Sequence, residues 1–151
     1  MSELLEPQVG YLPHATPGRL TRTFWDACAD GRLTFQRCDA CRMIAFPPVE
    51  VCRACLSTEL RWENSSGRGR LYSWTVVHRP VTPDFVTPYV PAIIDLDEGY
   101  QMMSNLIGIR VDQISVDLPV QVTFERLLDD LVLPYFVPAR ASDLTYPREG
   151  T

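Results

Sequence analysis

The sequence predicts a mainly β fold: a short N-terminal helix, a ribbon organised by two cysteine knuckles, and a five-stranded barrel. Three observations predict it. Cys38-Asp39-Ala40-Cys41 and Cys52-Arg53-Ala54-Cys55 are two C-x2-C pairs separated by ten residues. One stretch before them, residues 23–31, spaces its apolar side chains as a helix does. From Gly69 onward, apolar residues alternate with period two in short runs, as half-buried strands require.

Taken in order, residues 1–18 contain Pro7, Pro13 and Pro17 and read as an extended arm. In the helix, Thr23 and Asp26 form a capping-box pattern and Gly31 is a natural stop. Phe24 and Cys28 share one face, with Leu20 a turn earlier, so Cys28 is expected to pack against a core. Arg32–Gln36 enters the first knuckle as a strand, Met43–Phe46 leaves it, and Pro47-Pro48 ends that strand. Leu60–Glu63 resumes the alternation and Ser65-Ser66-Gly67 breaks it, so helix and ribbon occupy residues 19–66.

Residues 67–138 carry the barrel. Its predicted strands are Leu71–Val77, Ala92–Leu96, Tyr100–Ile107, Val120–Glu125 and Leu131–Val137. Asp97-Glu98-Gly99 makes a tight turn between the second and third, and Asp112–Asp117 makes a longer bridge to the fourth. That pattern matches an OB-fold barrel, whereas an immunoglobulin-like sandwich needs about seven strands. Residues 139–151 form a C-terminal tail.

Two knuckles this close fold four thiolates around one tetrahedral metal ion. The expected metal is a structural zinc held by Cys38, Cys41, Cys52 and Cys55; a rubredoxin-type iron site and two disulfides are the rival readings. Four protein ligands leave zinc no open position for water, so the metal orders the chain and does no chemistry. Cys28 stands outside this set. A catalytic thiol needs a base, and the chain offers only His14, in the arm, and His78, at a strand end.

Composition excludes further classes. All fourteen basic residues are arginine, which removes any lysine Schiff base or Walker-type phosphate loop. The paired acids Asp97-Glu98 and Asp129-Asp130 sit in turn contexts, and no Ser-His-Asp or Cys-His order is present, so no catalytic residue is predicted. There is no 18-residue apolar run to span a membrane, and no basic-then-apolar leader. Free ligand thiols then make a reducing cytoplasm the expected compartment. Tyr72, Trp74 and Tyr100 could act as stacking platforms for single-stranded nucleic acid, the alternative function. Against it, residues 71–138 hold nine acids and three arginines, a net charge of −6 that repels phosphate.

The ordered set Phe24-Trp25, Gly31-Arg32-Leu33, Gln36-Arg37-Cys38 and Phe46-Pro47-Pro48 with Cys52 and Cys55 resembles a known family. The likeness continues through Ser66-Gly67-Arg68-Gly69, Tyr72-Ser73, Pro91-Ala92, Leu96–Gly99, Pro119-Val120 and Leu133-Pro134 with Phe136. It covers residues 23–138 and is similar to the zinc-ribbon plus OB-fold proteins of acyl-CoA metabolism. The chain departs from that family at Asp117-Leu118-Pro119, where the family carries a glycine.

The resemblance implies a non-catalytic accessory subunit of a thiolase-fold enzyme, either a thiolase or a retro-aldolase that shortens steroid side chains. A hot-dog hydratase is a further partner it implies. Arg68, Arg70 and Arg79, beside the ribbon–barrel junction, are the candidates for contacting CoA phosphates, because a planar guanidinium suits phosphate. Phe85 and Tyr89, in the Pro-rich loop, are the candidate partner contacts, since aromatic anchors dominate interfaces.

Overall fold

The computed structural model describes residues 3–13, 16–127 and 131–140. His14, the Asp129-Asp130 pair and the tail from residue 141 lie outside the described residues.

The helix α1 spans Arg22–Ala29, two residues earlier than the capping pattern at Thr23 and Asp26 predicts. Thr21 is its N-cap but makes no side-chain cap bond. Its Oγ1 instead accepts the Gly18 N–H at 3.1 Å, closing the preceding turn. Gly31 takes φ +73°, a conformation open to glycine at little cost, and so ends the helix.

Three strands make the ribbon: β1 (Thr34–Cys38), β2 (Ile44–Ala45) and β3 (Leu60–Asn64), in the order β2-β1-β3 and all antiparallel. The barrel strands are β4 (Arg68–Trp74), β5 (Val90–Leu96), β6 (Gln101–Leu106), β7 (Pro119–Arg126) and β8 (Val132–Pro138). They close in the order β4-β5-β6-β8-β7. One parallel pairing, Leu106 opposite Phe136, joins β6 to β8 and completes the five-stranded OB-fold barrel.

β4 begins and ends three residues earlier than its alternation predicts, at Arg68–Trp74 instead of Leu71–Val77. Its register against β5 shifts between Leu71 and Ser73; Leu71 is buried, and Tyr72 and Trp74 are exposed on the opposite face, as alternation requires. The bridge before β7 contains a 3-10 turn at Val111–Gln113. It ends at Asp117, which adopts φ +60°. Aspartate tolerates this left-handed region better than most residues, so the turn forms here without glycine.

One core runs through helix, ribbon and barrel. Phe24, Cys28, Leu33 and Phe35 join Leu71, Ile94, Leu106 and Phe136 in a single cluster. Tyr100, on the barrel, links the halves: its ring lies 5.1 Å from that of Phe35 and 5.2 Å from that of Phe46. The arm is better anchored than its sequence indicates. Leu5, Gln8 and Leu12 are buried, and Leu5 exchanges backbone hydrogen bonds with Ile109 and Gly108 at 2.9 and 2.8 Å.

Candidate functional site: a four-cysteine metal centre

The two knuckles are the same turn used twice. In the first, the Cys38 N–H donates to Met43 O at 2.9 Å and the Arg42 N–H donates to Cys38 O at 2.9 Å. In the second, the Cys52 N–H donates to Ser57 O at 2.8 Å and the Leu56 N–H to Cys52 O at 3.0 Å. The residue after each pair is left-handed, Arg42 at φ 67° and Leu56 at φ 61°. β1 delivers Cys38 from the centre of the ribbon sheet, and the chain between the knuckles returns Cys52 beside it.

All four Sγ atoms therefore lie within 4.8 Å of one another. Cys38 faces Cys55 and Cys41 faces Cys52, each pair at 3.6 Å. Four zinc–sulfur bonds of about 2.3 Å in a tetrahedron imply sulfur–sulfur edges of about 3.8 Å, so the four residues fit zinc. The thiols are unpaired, which sets aside two disulfides. Cys38 and Cys52 are buried while Cys41 and Cys55 are exposed, so each knuckle seals one sulfur inside. The backbone N–H groups of Cys55 and Ala54 point at the Cys52 sulfur and lower its thiol to about 6.

Around the centre, charged side chains brace the ribbon surface. Arg37 donates to Glu63 at 2.8 Å, and Arg61 bridges Asp39 and Glu63 at 3.2 and 3.0 Å. The more exposed Arg61 pairs contribute little individually, whereas Arg37 and Glu63 are half-buried. Cys28 plays no part in the centre. It is 0% exposed, and burial pushes its thiol up to about 12, so it is an inert core residue.

The predicted arginines do not gather into one cluster. Arg68 and Arg70 share the outward side of β4; Arg68 pairs with Asp97 at 3.6 Å, and Arg70 donates to Asp117 O at 3.1 Å. Arg79 lies beyond the other end of that strand, which is about 20 Å long. Phe85 and Tyr89 are brought together, their rings stacked at 5.5 Å and half-buried. Their loop is pinned by Gln8, whose side chain donates to Val86 O and accepts the Val86 N–H, both at 2.8 Å. Of the three aromatic platforms, Tyr72 and Trp74 are exposed. Tyr100 is buried in the core and unavailable for stacking on a base, because the ribbon packs over it. No described helix is long and apolar enough to cross a membrane.

Sequence reasoning missed the contacts that fix the knuckles and the loop. Nothing in Arg42 or Leu56 announces a left-handed backbone, because glycine is its usual marker. Gln8 lies 78 residues from the loop it holds, beyond the reach of any local pattern.

Comparison with known proteins agrees with this architecture. Residues 25–61 match the family model of the ChsH2 rubredoxin-like zinc ribbon domain, and residues 62–125 that of the ChsH2 C-terminal OB-fold domain. A probable enoyl-CoA hydratase alpha subunit of Thermomonospora curvata is 38% identical over 77% of this chain and 37% of its own length. This chain thus spans little more than a third of that relative. A DUF35 domain-containing scaffold protein of Methanocaldococcus jannaschii is 32% identical over 62% of this chain and 68% of its own. The benzoylsuccinyl-CoA thiolase subunit BbsA of Geobacter metallireducens is 32% identical over 62% and 64%. Among solved structures, the Ltp2-ChsH2(DUF35) aldolase includes a chain with TM-score 0.79 and 35% identity, covering 84% of this chain and 100% of that one. With its zinc centre and barrel in that order, the chain belongs to the ChsH2 (DUF35) family of rubredoxin-like zinc ribbon and OB-fold proteins.

Proposed function

We propose that this chain is a non-catalytic scaffold subunit of a thiolase-fold enzyme that acts on acyl-CoA thioesters. The observation that carries the reading is the metal centre itself. Four thiolates close the zinc shell, so the most reactive cluster among the described residues is spent on structure. The remaining nucleophile, Cys28, is buried and held neutral. Relatives named as a thiolase subunit, an aldolase component and scaffold proteins support the same role. In this reading the partner supplies nucleophile and base, and the zinc ribbon and barrel hold it in its active form. Arg68, Arg70 and Arg79 are proposed to touch the CoA phosphates from the barrel side, and a hot-dog hydratase is the second partner class.

The test is co-expression with each thiolase-fold protein of the same genome, followed by size-exclusion chromatography and an acyl-CoA cleavage assay. The expected result is a stable complex whose activity exceeds that of the partner alone, with none from this chain alone. A lone monomer beside a fully active partner would overturn the reading.

A further inference from the structure

Two hollows on the outside of the molecule meet at one side chain. The larger, about 410 Å³, lies between α1, the Phe46-Pro47-Pro48 turn and strands β6 and β8. The smaller, about 230 Å³, lies over β4, β5 and β6. Met103 borders both and is 73% exposed.

Pairing geometry shows why the two are continuous. Ile93 is directly opposite Met103, and Pro91 opposite Asn105, all on the outward side of the sheet. Side chains two apart on a strand share a face, so Tyr89, Pro91 and Ile93 line up along one edge of it. Tyr89 is held in strand pairing with Val77, which extends the face to the Phe85 loop. The result is one surface running from Trp25 and Phe46 across Met103 and Ile93 to Tyr89.

Its composition identifies the occupant. None of the nineteen residues lining the two hollows is charged, in a chain that is 22% charged. Depletion of charge with enrichment of aromatics and Met marks the centre of a protein interface. A standard interface uses about 20–30 residues a side, which these hollows together with the Phe85–Tyr89 loop supply. Small thioesters suit the face poorly, because it is open, spans α1 and four strands, and its lining offers no cation for phosphate. A second copy of this chain is also disfavoured. The solved relative that covers 100% of its own chain is a component of a two-protein aldolase.

We infer that this charge-free face of α1, β5 and β6 is where a thiolase-fold subunit docks, through an apolar and uncharged patch of its own. The inference rests on the function proposed above and adds the location. Met103→Glu and Trp74→Glu place a charge at two exposed points of the face without entering the core. Both are expected to keep zinc content and melting behaviour, and to weaken the affinity for the co-expressed thiolase-fold partner at least tenfold.

Arg53→Glu, on the exposed metal knuckle, serves as a charge control and is expected to bind as the wild type does. Wild-type affinity in both face variants, with the wild type itself bound, would overturn this location and leave the scaffold function standing. Loss of a homodimer in Met103→Glu would assign the face to a second copy and overturn it equally. Failure of the wild type to bind any thiolase-fold protein of the genome would remove both.

Discussion

Glu98, on the turn between β5 and β6, accepts a hydrogen bond from the hydroxyl of Ser65 at 2.9 Å across 33 residues of chain. Its other carboxylate oxygen accepts the Ser66 N–H at 2.5 Å, and Ser65 Oγ in turn accepts the Gly67 N–H at 3.0 Å. The ribbon–barrel junction is therefore clasped by the barrel's own hairpin. Acids at such turns are ordinarily solvated, and this one fixes where the ribbon leaves the barrel.

Glu98→Ala is expected to cost about 1 kcal/mol, or roughly 2–4 °C in Tm, because two donors at the junction lose their acceptor. Glu98→Gln keeps one carbonyl acceptor and should lose less. Thermal unfolding at constant zinc content checks both, and equal melting of all three proteins would show the clasp to be energetically idle.

Zinc and Cys28 separate cleanly by substitution. Cys38→Ser should lose metal and fold together, since the free energy of binding a structural zinc is also folding free energy. Cys28→Ser should retain one zinc. It should also cost about 1–3 kcal/mol, because it puts a hydroxyl into an apolar site that is 0% exposed. With its thiol pushed up to about 12, Cys28 should resist iodoacetamide at pH 8 until the protein unfolds. Mass spectrometry of alkylated, zinc-loaded protein reads this directly.

Leu56 is left-handed and 76% exposed, so its side chain contributes little to offset its backbone strain. Leu56→Gly should stabilise the folded protein by up to about 1 kcal/mol, the cost of that conformation for a residue bearing a Cβ. A competition titration with a zinc chelator should show tighter metal binding. Weaker binding would mean that Leu56 makes contacts its exposure does not reveal.

The hydrogen bond from Arg37 holds the Glu63 carboxyl below its ordinary value. A lowered folded pKa gives stability that is fully present above the unfolded value of about 4.3 and is lost as pH falls through the folded one. Arg37→Met should therefore lower stability at pH 7 and flatten its fall between neutral and acid pH. Chemical denaturation at a series of pH values measures that slope; parallel curves for the two proteins would exclude the pair as a contributor.

Much of this architecture was local and hence legible. The C-x2-C spacing determined the metal ligands, because two turns of fixed shape need only short-range bonds to present two sulfurs each. Alternation placed all five barrel strands within a few residues, and Asp97-Glu98-Gly99 marked the tight turn. Tertiary structure decided what depends on distant partners. The register shift between Leu71 and Ser73 in β4 exists only against the pairing that β5 supplies. Arm residue Gln8 is buried because a loop 78 residues away offers it both a donor and an acceptor. Met103 becomes the centre of an apolar face only when α1, β5 and β6 come together. Periodicity reports which way a side chain points relative to its own strand, and only the folded chain sets what stands opposite it.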